Sequence, residues 1–468
     1  MLRATRLTLR RVWRLVRTVE PEFWRRLGTE ISSVRPWIER GVVLAYAAMT
    51  GLIVVAFTYL AEAASHGFDS IRQHSSWAPY LPLLWTPLLT VLVLWWTRRF
   101  APGAAGSGIP QVVRALDDNL DPAQRRWLVS LRQSLHKVGL VSGGLLAGLS
   151  IGREGPTVQI GAGVMVDAKR RLSPRSGLDA HDLMVAGAAA GIAAAFNTPL
   201  GGVIFALEQL ARKRSMSQSS LVIASIVLAG LVAMSVFGSE TYFGHLRVQE
   251  LSWSLLGPGL LVALIAGLSG GLFSRLLIVC AQGLPDRFSR WRETHPFRFA
   301  AACALAVALI GVVSHGTTAG AGYGSTRALL EGHADLPAGY TVLKFCATWL
   351  SSWTGVPAGV FAPSLAIGAG IGHDVAMLTG VSRDAALPLC ALGMVGFLAA
   401  TTQGPITAFI IVMEMVAGHS MVLSLMACAL LAGGVARLVT RSMYVELALL
   451  LPVPPRATVS APASGVDR

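Results

Sequence analysis

Five stretches of the chain run for more than twenty residues without a charged side chain: Gly41–Ala61, Met184–Leu207, Ser215–Ser239, Leu251–Ser274 and Met415–Ala436. About twenty such residues carry a helix across the hydrocarbon of a bilayer, so the pattern predicts an all-helical polytopic membrane protein. Other apolar stretches are short or interrupted. Val138–Gly152 stops at fifteen residues, and Phe345–Gly372 contains Pro357, Pro363 and many glycines. Such segments predict half-helices and re-entrant pieces, which occur at membrane depth only where protein or a wet cavity covers their backbone.

Two stretches 207 residues apart are versions of one another: Gly152–Gly163 and Gly359–Gly370 are identical at six of twelve positions. Each sets glycines and a proline before an uncharged run, as in a helix that begins partway across a bilayer with its first N–H groups unpaired. Such N–H groups bind anions. A second pair of segments keeps nearly the same offset. At a shift of 206 residues Ala193-Ala194 matches Ala399-Ala400, Pro199-Leu200 matches Pro405-Ile406, Ile204 matches Ile410, and Glu208 matches Glu414. In each copy a proline opens an apolar run that ends at a glutamate, which places Pro199 and Pro405 in first helical turns. The chain therefore reads as two halves, 41–239 and 251–451, divided by the polar stretch Glu240–Glu250. The spacing alone fits parallel or inverted halves, and inversion would bring the two glycine-rich helix starts together near the midplane. Each start carries about half an elementary charge, enough to favour chloride without the full cation that would slow its release. With Glu154 inside one of them, the pattern points to passage of small anions through the middle of the protein, gated at Glu154.

Charge narrows the class further. A formal charge of +14 would suggest nucleic acid in a soluble protein, but here the cations flank apolar runs. Ten arginines precede Gly41 against four glutamates, and the loops Lys169–Arg171 and Arg212–Arg214 are basic. The positive-inside bias places these segments and the N-terminus in the cytoplasm, with no nucleic-acid role. Residues 1–40 lack the apolar core of a signal peptide. Leu9, Val12, Trp13, Val16 and Val19 recur there at helical spacing among arginines, as in a helix lying on the membrane surface. Domain expectations are a basic cytoplasmic segment at 1–40, a membrane domain at 41–451 and a disordered tail at 452–468, rich in Pro, Ala and Ser. The five cysteines show no paired spacing, so neither a metal centre nor a disulfide framework is expected, and no cofactor is implied.

Three short elements follow one another along the chain: Gly106-Ser107-Gly108-Ile109-Pro110, Gly152-Arg153-Glu154-Gly155-Pro156 and Gly359-Val360-Phe361-Ala362-Pro363. In this order they resemble the CLC chloride channel and chloride/proton exchanger family. The resemblance covers about residues 40–450 and includes the proline-led segments and a late tyrosine, Tyr444. It implies about eighteen helices, many tilted or partial, in two inverted halves with partial helices meeting at an anion site. It also implies a homodimer with one pore per subunit, joined through the helices around Pro199–Gln209, Ser217–Phe237, Pro405–Ala417 and Met421–Leu438, whose small residues suit close packing in lipid. The missing signal peptide and basic N-terminus suit a bacterial inner or plasma membrane.

The resemblance also assigns residues. Ser107, between Gly106 and Gly108, corresponds to the serine that coordinates the central chloride, and a serine here is similar to the chloride-preferring members. Glu154 corresponds to the glutamate that occupies an outer anion site when ionised and swings away when protonated. A carboxylate at mid-membrane depth costs about 2.5–3.5 kcal/mol on insertion scales, so it needs a reason to be there. Arg153 beside it, and Gly106 beside Ser107, are counted with them among the chloride-binding residues. Val360 and Phe361 correspond to residues whose backbone N–H groups face the ion, and Tyr444 to the tyrosine whose hydroxyl closes the central site from inside. Lys137 is a lone cation ahead of Val138–Gly152; the family often has lysine here, and a flank cation can equally snorkel to the headgroups.

One position departs from the exchangers. Many carry an inner glutamate that receives the proton in the segment that begins here at Asn197-Thr198-Pro199, and counting through Phe205–Gln209 puts Gln209 at that place. An amide does not titrate near neutral pH. Glu208 is adjacent but about 100 degrees around the helix. Coupled exchange, loose coupling and passive chloride conduction all remain open on these residues, with proton-linked exchange preferred. Two other classes compete. An intramembrane serine protease would need a base for Ser107 from His136, His181 or His315, and an organic-anion carrier would show competition between chloride and the organic solute.

Overall fold

The computed structural model of the protein describes residues 34–455 apart from 76, 175, 212–218, 239–242, 244–252 and 333–335. The N-terminal surface helix, the Arg212–Arg214 loop, most of the Glu240–Glu250 divide and the end of the tail therefore lie outside the described residues. Among those described, regular structure is helical: α1 Val34–Gln73, α2 Pro82–Phe100, α3 Ile109–Ala115, α4 Pro122–Leu128, α5 Leu131–Leu146, α6 Glu154–Asp167, α7 Ala180–Phe196, α8 Pro199–Phe205 and α9 Ser219–Phe237 in the first half. The second half holds α10 Leu256–Gln282, α11 Arg287–Thr294, α12 Pro296–Val313, α13 Tyr323–Leu330, α14 Tyr340–Trp353, α15 Phe361–Thr379, α16 Arg383–Thr402, α17 Pro405–Met415, α18 Val422–Val439 and α19 Met443–Leu450. Eight of the helical segments are long and apolar enough to cross a membrane.

One of the long uncharged stretches is not a single span. Met184–Leu207 is broken where α7 ends on Asn197, left-handed at φ 57°, and Pro199 opens α8, which continues as a π turn over Ala206–Leu210. Asparagine tolerates that conformation and proline cannot continue the preceding helix, so a run of suitable length becomes two short helices. Met415–Ala436 does form one span: α17 ends at its first residue, Ala417 takes φ 49°, and the membrane-length segment His419–Val439 follows.

The offset of 206–207 residues governs the packing. Gln403, the counterpart of Asn197, also ends its helix left-handed, at φ 51°. Helix α6 lies on α7 and α15 on α16 at glycine pairs that match in both halves: a Cβ on Gly161 or Gly187 would run into the other's carbonyl, and the same holds for Gly368 and Gly393. Without a hydrophobic drive between helices in lipid, this backbone-to-backbone approach is what joins them. The halves also complete each other. Glu208 accepts from the N–H groups of Ile406 and Thr407 at 3.1 and 2.7 Å, capping α17, while Glu414 accepts from Leu200 and Gly201 at 3.3 and 2.7 Å, capping α8. Each glutamate supplies the anion that the other half's helix start requires.

Candidate anion site

The two glycine-rich segments meet. Gly152 and Gly359 form an isolated antiparallel bridge, with Gly152 N–H donating to Gly359 O at 2.7 Å and Gly359 N–H to Gly152 O at 3.1 Å. Arg153 is the N-cap of α6 and Val360 the N-cap of α15, so two helix starts are fixed side by side in antiparallel order. The first N–H groups of each have no intrahelical acceptor, and Pro156 and Pro363 sit in first turns where a missing N–H costs nothing. A Cβ could not be added to either bridge residue: on Gly359 it would lie 2.5 Å from Gly152 O and 2.8 Å from Pro156 Cδ.

Glu154 is fully buried between these starts. Its Oε2 would lie 2.5 Å from a Cβ on Gly152, in a cleft bounded by Ala362 and Pro363 of the opposite half. The carboxylate faces the backbone N–H groups of Arg153, its own residue and Ala362, but none reaches full hydrogen-bond geometry. Among the described residues the nearest cation is Arg153, whose Nε stands 3.8 Å from Oε1. Val360 and Phe361 are buried, and the Phe361 ring packs on Phe196 with centroids 5.2 Å apart. Their side chains thus pack the core while their backbone opens α15.

Ser107 approaches from the other side. Gly106 and Gly108 take φ 74° and 106°, a turn that a side chain would strain, and a Cβ on Gly155 would lie 2.5 Å from Ser107 Oγ. The hydroxyl therefore rests against the first turn of α6. The Tyr444 hydroxyl stands beside it and within electrostatic reach of Glu154. Tyr444 is 1% exposed at the start of α19, so it is no interfacial anchor. Neither hydroxyl has a full hydrogen bond to protein. Two buried hydroxyls and two helix starts thus converge on one place, a donor set that suits a small dehydrated anion.

Lys137 does not snorkel. It is buried completely, and its ammonium donates at 2.7 Å to the carbonyls of Ala104 and Gly106, bracing the turn that carries Ser107. Sequence reasoning missed its counterpart 207 residues on, Lys344, which is equally buried and braces the carbonyls of Thr318 and Gly320 at 2.9 and 2.8 Å. The repeat offset was the signal that could have found it. Gln209 is buried with its carboxamide against Gly404, and the adjacent Glu208 carboxylate is tied to the start of α17. One group of three metal-capable side chains converges among the described residues, Asp179, His181 and Asp182 at the start of α7; there the Asp179 carboxylate accepts the Asp182 N–H as a helix cap.

A family model described as voltage gated chloride channel matches residues 89–437. The H(+)/Cl(-) exchange transporter ClcA of Cronobacter sakazakii is 30% identical over 406 residues, 81% of this chain and 83% of that protein. That of Vibrio parahaemolyticus is 29% identical over 87% of this chain and 90% of its own length. Among solved structures, a slow cyanobacterial Cl−/H+ antiporter superposes with a TM-score of 0.72 at 22% identity, over 88% of this chain and 97% of its own. A CLC-type fluoride/proton antiporter gives 0.71 at 21% identity, over 88% and 97%.

Proposed function

Because the chain belongs to the voltage gated chloride channel family, we propose that it exchanges chloride for protons across a membrane, with Glu154 as the group that alternates between them. The observation that carries this reading is the buried Glu154 carboxylate between two helix starts, without a full hydrogen bond to protein. An anion belongs in that place, and the protein supplies one of its own. When Glu154 takes a proton its charge is lost, its attraction to the helix starts falls, and chloride occupies the freed donors. Ser107, steadied by Lys137, and Tyr444 hold the next ion inward, while the backbone of Val360 and Phe361 and the Arg153 guanidinium line the outer position. The protein does no covalent chemistry in this cycle.

The cavity beside Arg153 is the outer mouth in this reading, and the N-terminus lies in the cytoplasm of a bacterium, in the inner membrane. Two copies pair through α8, α9, α17 and α18, which leave Leu200, Leu231, Ile406 and Leu430 exposed. Each copy keeps its own pore.

The second reading is passive chloride conduction, favoured by Gln209 at the inner position. Purified protein in liposomes decides between them. A chloride gradient should drive protons uphill, and Glu154→Gln should abolish proton movement while chloride still flows. Chloride flux without proton movement in the wild type would leave the channel reading.

A further inference from the structure

A cavity of about 600 Å3 opens beside Arg153 and is walled in part by Glu62, His66, Asp69, Tyr323 and Arg327. Arg153 is held there firmly. Its Nη1 donates to Glu62 Oε1 at 3.0 Å and to the Thr58 carbonyl at 3.1 Å, and its guanidinium carbon lies 5.2 Å from the Tyr323 ring centroid. Thr58 and Glu62 are one helical turn apart on α1, so a single face presents both acceptors. The guanidinium therefore stands between two carboxylates of different kinds. Glu154, 3.8 Å from Nε, is fully buried, whereas the Glu62 side chain is 47% exposed in the cavity. Glu62 takes the charge-assisted hydrogen bond, and Glu154 is left with the longer contact.

We propose that Glu62 is a positioning residue for Arg153 that sets the outer pH at which Glu154 gives way to chloride. This deepens the reading of Glu154 as the gate and rests on it. Ionised Glu62 keeps the arginine charge turned towards the cavity and adds its own negative charge to the field at Glu154. Both effects favour the protonated gate. With Glu62 neutral, Arg153 keeps its ionic contact with Glu154 without the competing carboxylate, and the ionised gate persists to lower pH. The other charged groups around the cavity are already committed: Asp69 lies 3.9 Å from Arg72, and Arg327 pairs with Glu331 at 2.8 Å. His66, one turn beyond Glu62 on α1, is the further titratable group on that wall, and Tyr323 packs beneath the guanidinium.

The test uses the full chain in liposomes, with chloride flux and chloride-driven proton uptake read across a series of outer pH values. In Glu62→Gln the midpoint of the pH profile should move to more acidic values by about one unit, roughly tenfold in proton concentration, as expected for removing one charge a guanidinium's width away. The proton-to-chloride ratio should stay that of the wild type. Glu62→Asp, which keeps the charge, should recover at least half of the shift. An unmoved or alkaline-shifted midpoint in Glu62→Gln, or an aspartate variant displaced as far as the glutamine one, overturns the proposal. Glu154→Gln is run beside them. If it still couples protons to chloride, the gate reading fails; if it uncouples as expected while Glu62→Gln leaves the profile unmoved, the role given to Glu62 alone fails.

Discussion

Adding one methyl group at Gly359 tests whether the anion site depends on the bridge between the two halves. In Gly359→Ala the new Cβ starts 2.5 Å from Gly152 O and 2.8 Å from Pro156 Cδ. Ordinary contact begins at 3.4 Å, so the segments must part by 0.9 Å at the carbonyl, and neither obstacle is a flexible side-chain end. Applied along the bridge, that movement stretches its hydrogen bonds from 2.7 and 3.1 Å to about 3.6 and 4.0 Å, beyond useful hydrogen-bond length. Two backbone hydrogen bonds at about 0.5–1.5 kcal/mol each give a loss of roughly 1–3 kcal/mol. The loss falls on the spacing of the two helix starts, so chloride affinity should drop at least fivefold, and thermal stability should fall by several degrees. Gly311→Ala is the control, because nothing lies within 4 Å of its Cβ and alanine favours a helix. Chloride binding by calorimetry and melting in detergent are the assays. A Gly359→Ala protein that binds chloride as tightly as the wild type would refute the claim that backbone contact sets the site.

Other variants probe separate links. Gly155→Ala puts a Cβ 2.5 Å from Ser107 Oγ and should weaken chloride binding about tenfold with a smaller change in melting temperature; equal loss in both would point to general misfolding. Gln209→Glu should raise the proton-to-chloride ratio in liposomes if protons pass the inner position, and an unchanged ratio places their route elsewhere. Glu208→Ala and Glu414→Ala each remove the cap of a helix in the opposite half, at a cost of about 0.5–2 kcal/mol; a lowered melting temperature in both would bear out the exchange of caps, and no change in either would deny it.

The helix starts were legible in the sequence because glycine and proline before an uncharged run leave few alternatives for the backbone. The repeat was legible because two segments kept one offset. Breaks within apolar runs were harder to see. Asn197 carries no charge, so a hydropathy reading passes through it, and only the proline two residues later marks the turn between α7 and α8. Contacts across the halves were the least legible. Glu208 and Glu414 read as ends of their own helices, whereas each serves a helix about 200 residues away. Glu62 simply ended an uncharged run, and nothing near it in the chain shows that it reaches Arg153. Lys344 could have been found by applying to Lys137 the offset already in hand.

The exchanged caps have the geometry of an isologous contact, in which the same patch meets itself across a two-fold axis. Glu208 on α8 serves α17, and Glu414 on α17 serves α8. A half-length chain carrying one such glutamate and one such proline-led helix would satisfy both needs by pairing with a second copy of itself. The covalent link through the polar divide is therefore dispensable to this contact. Two halves produced as separate chains, cut between α9 and α10, already hold matching halves of their own interface.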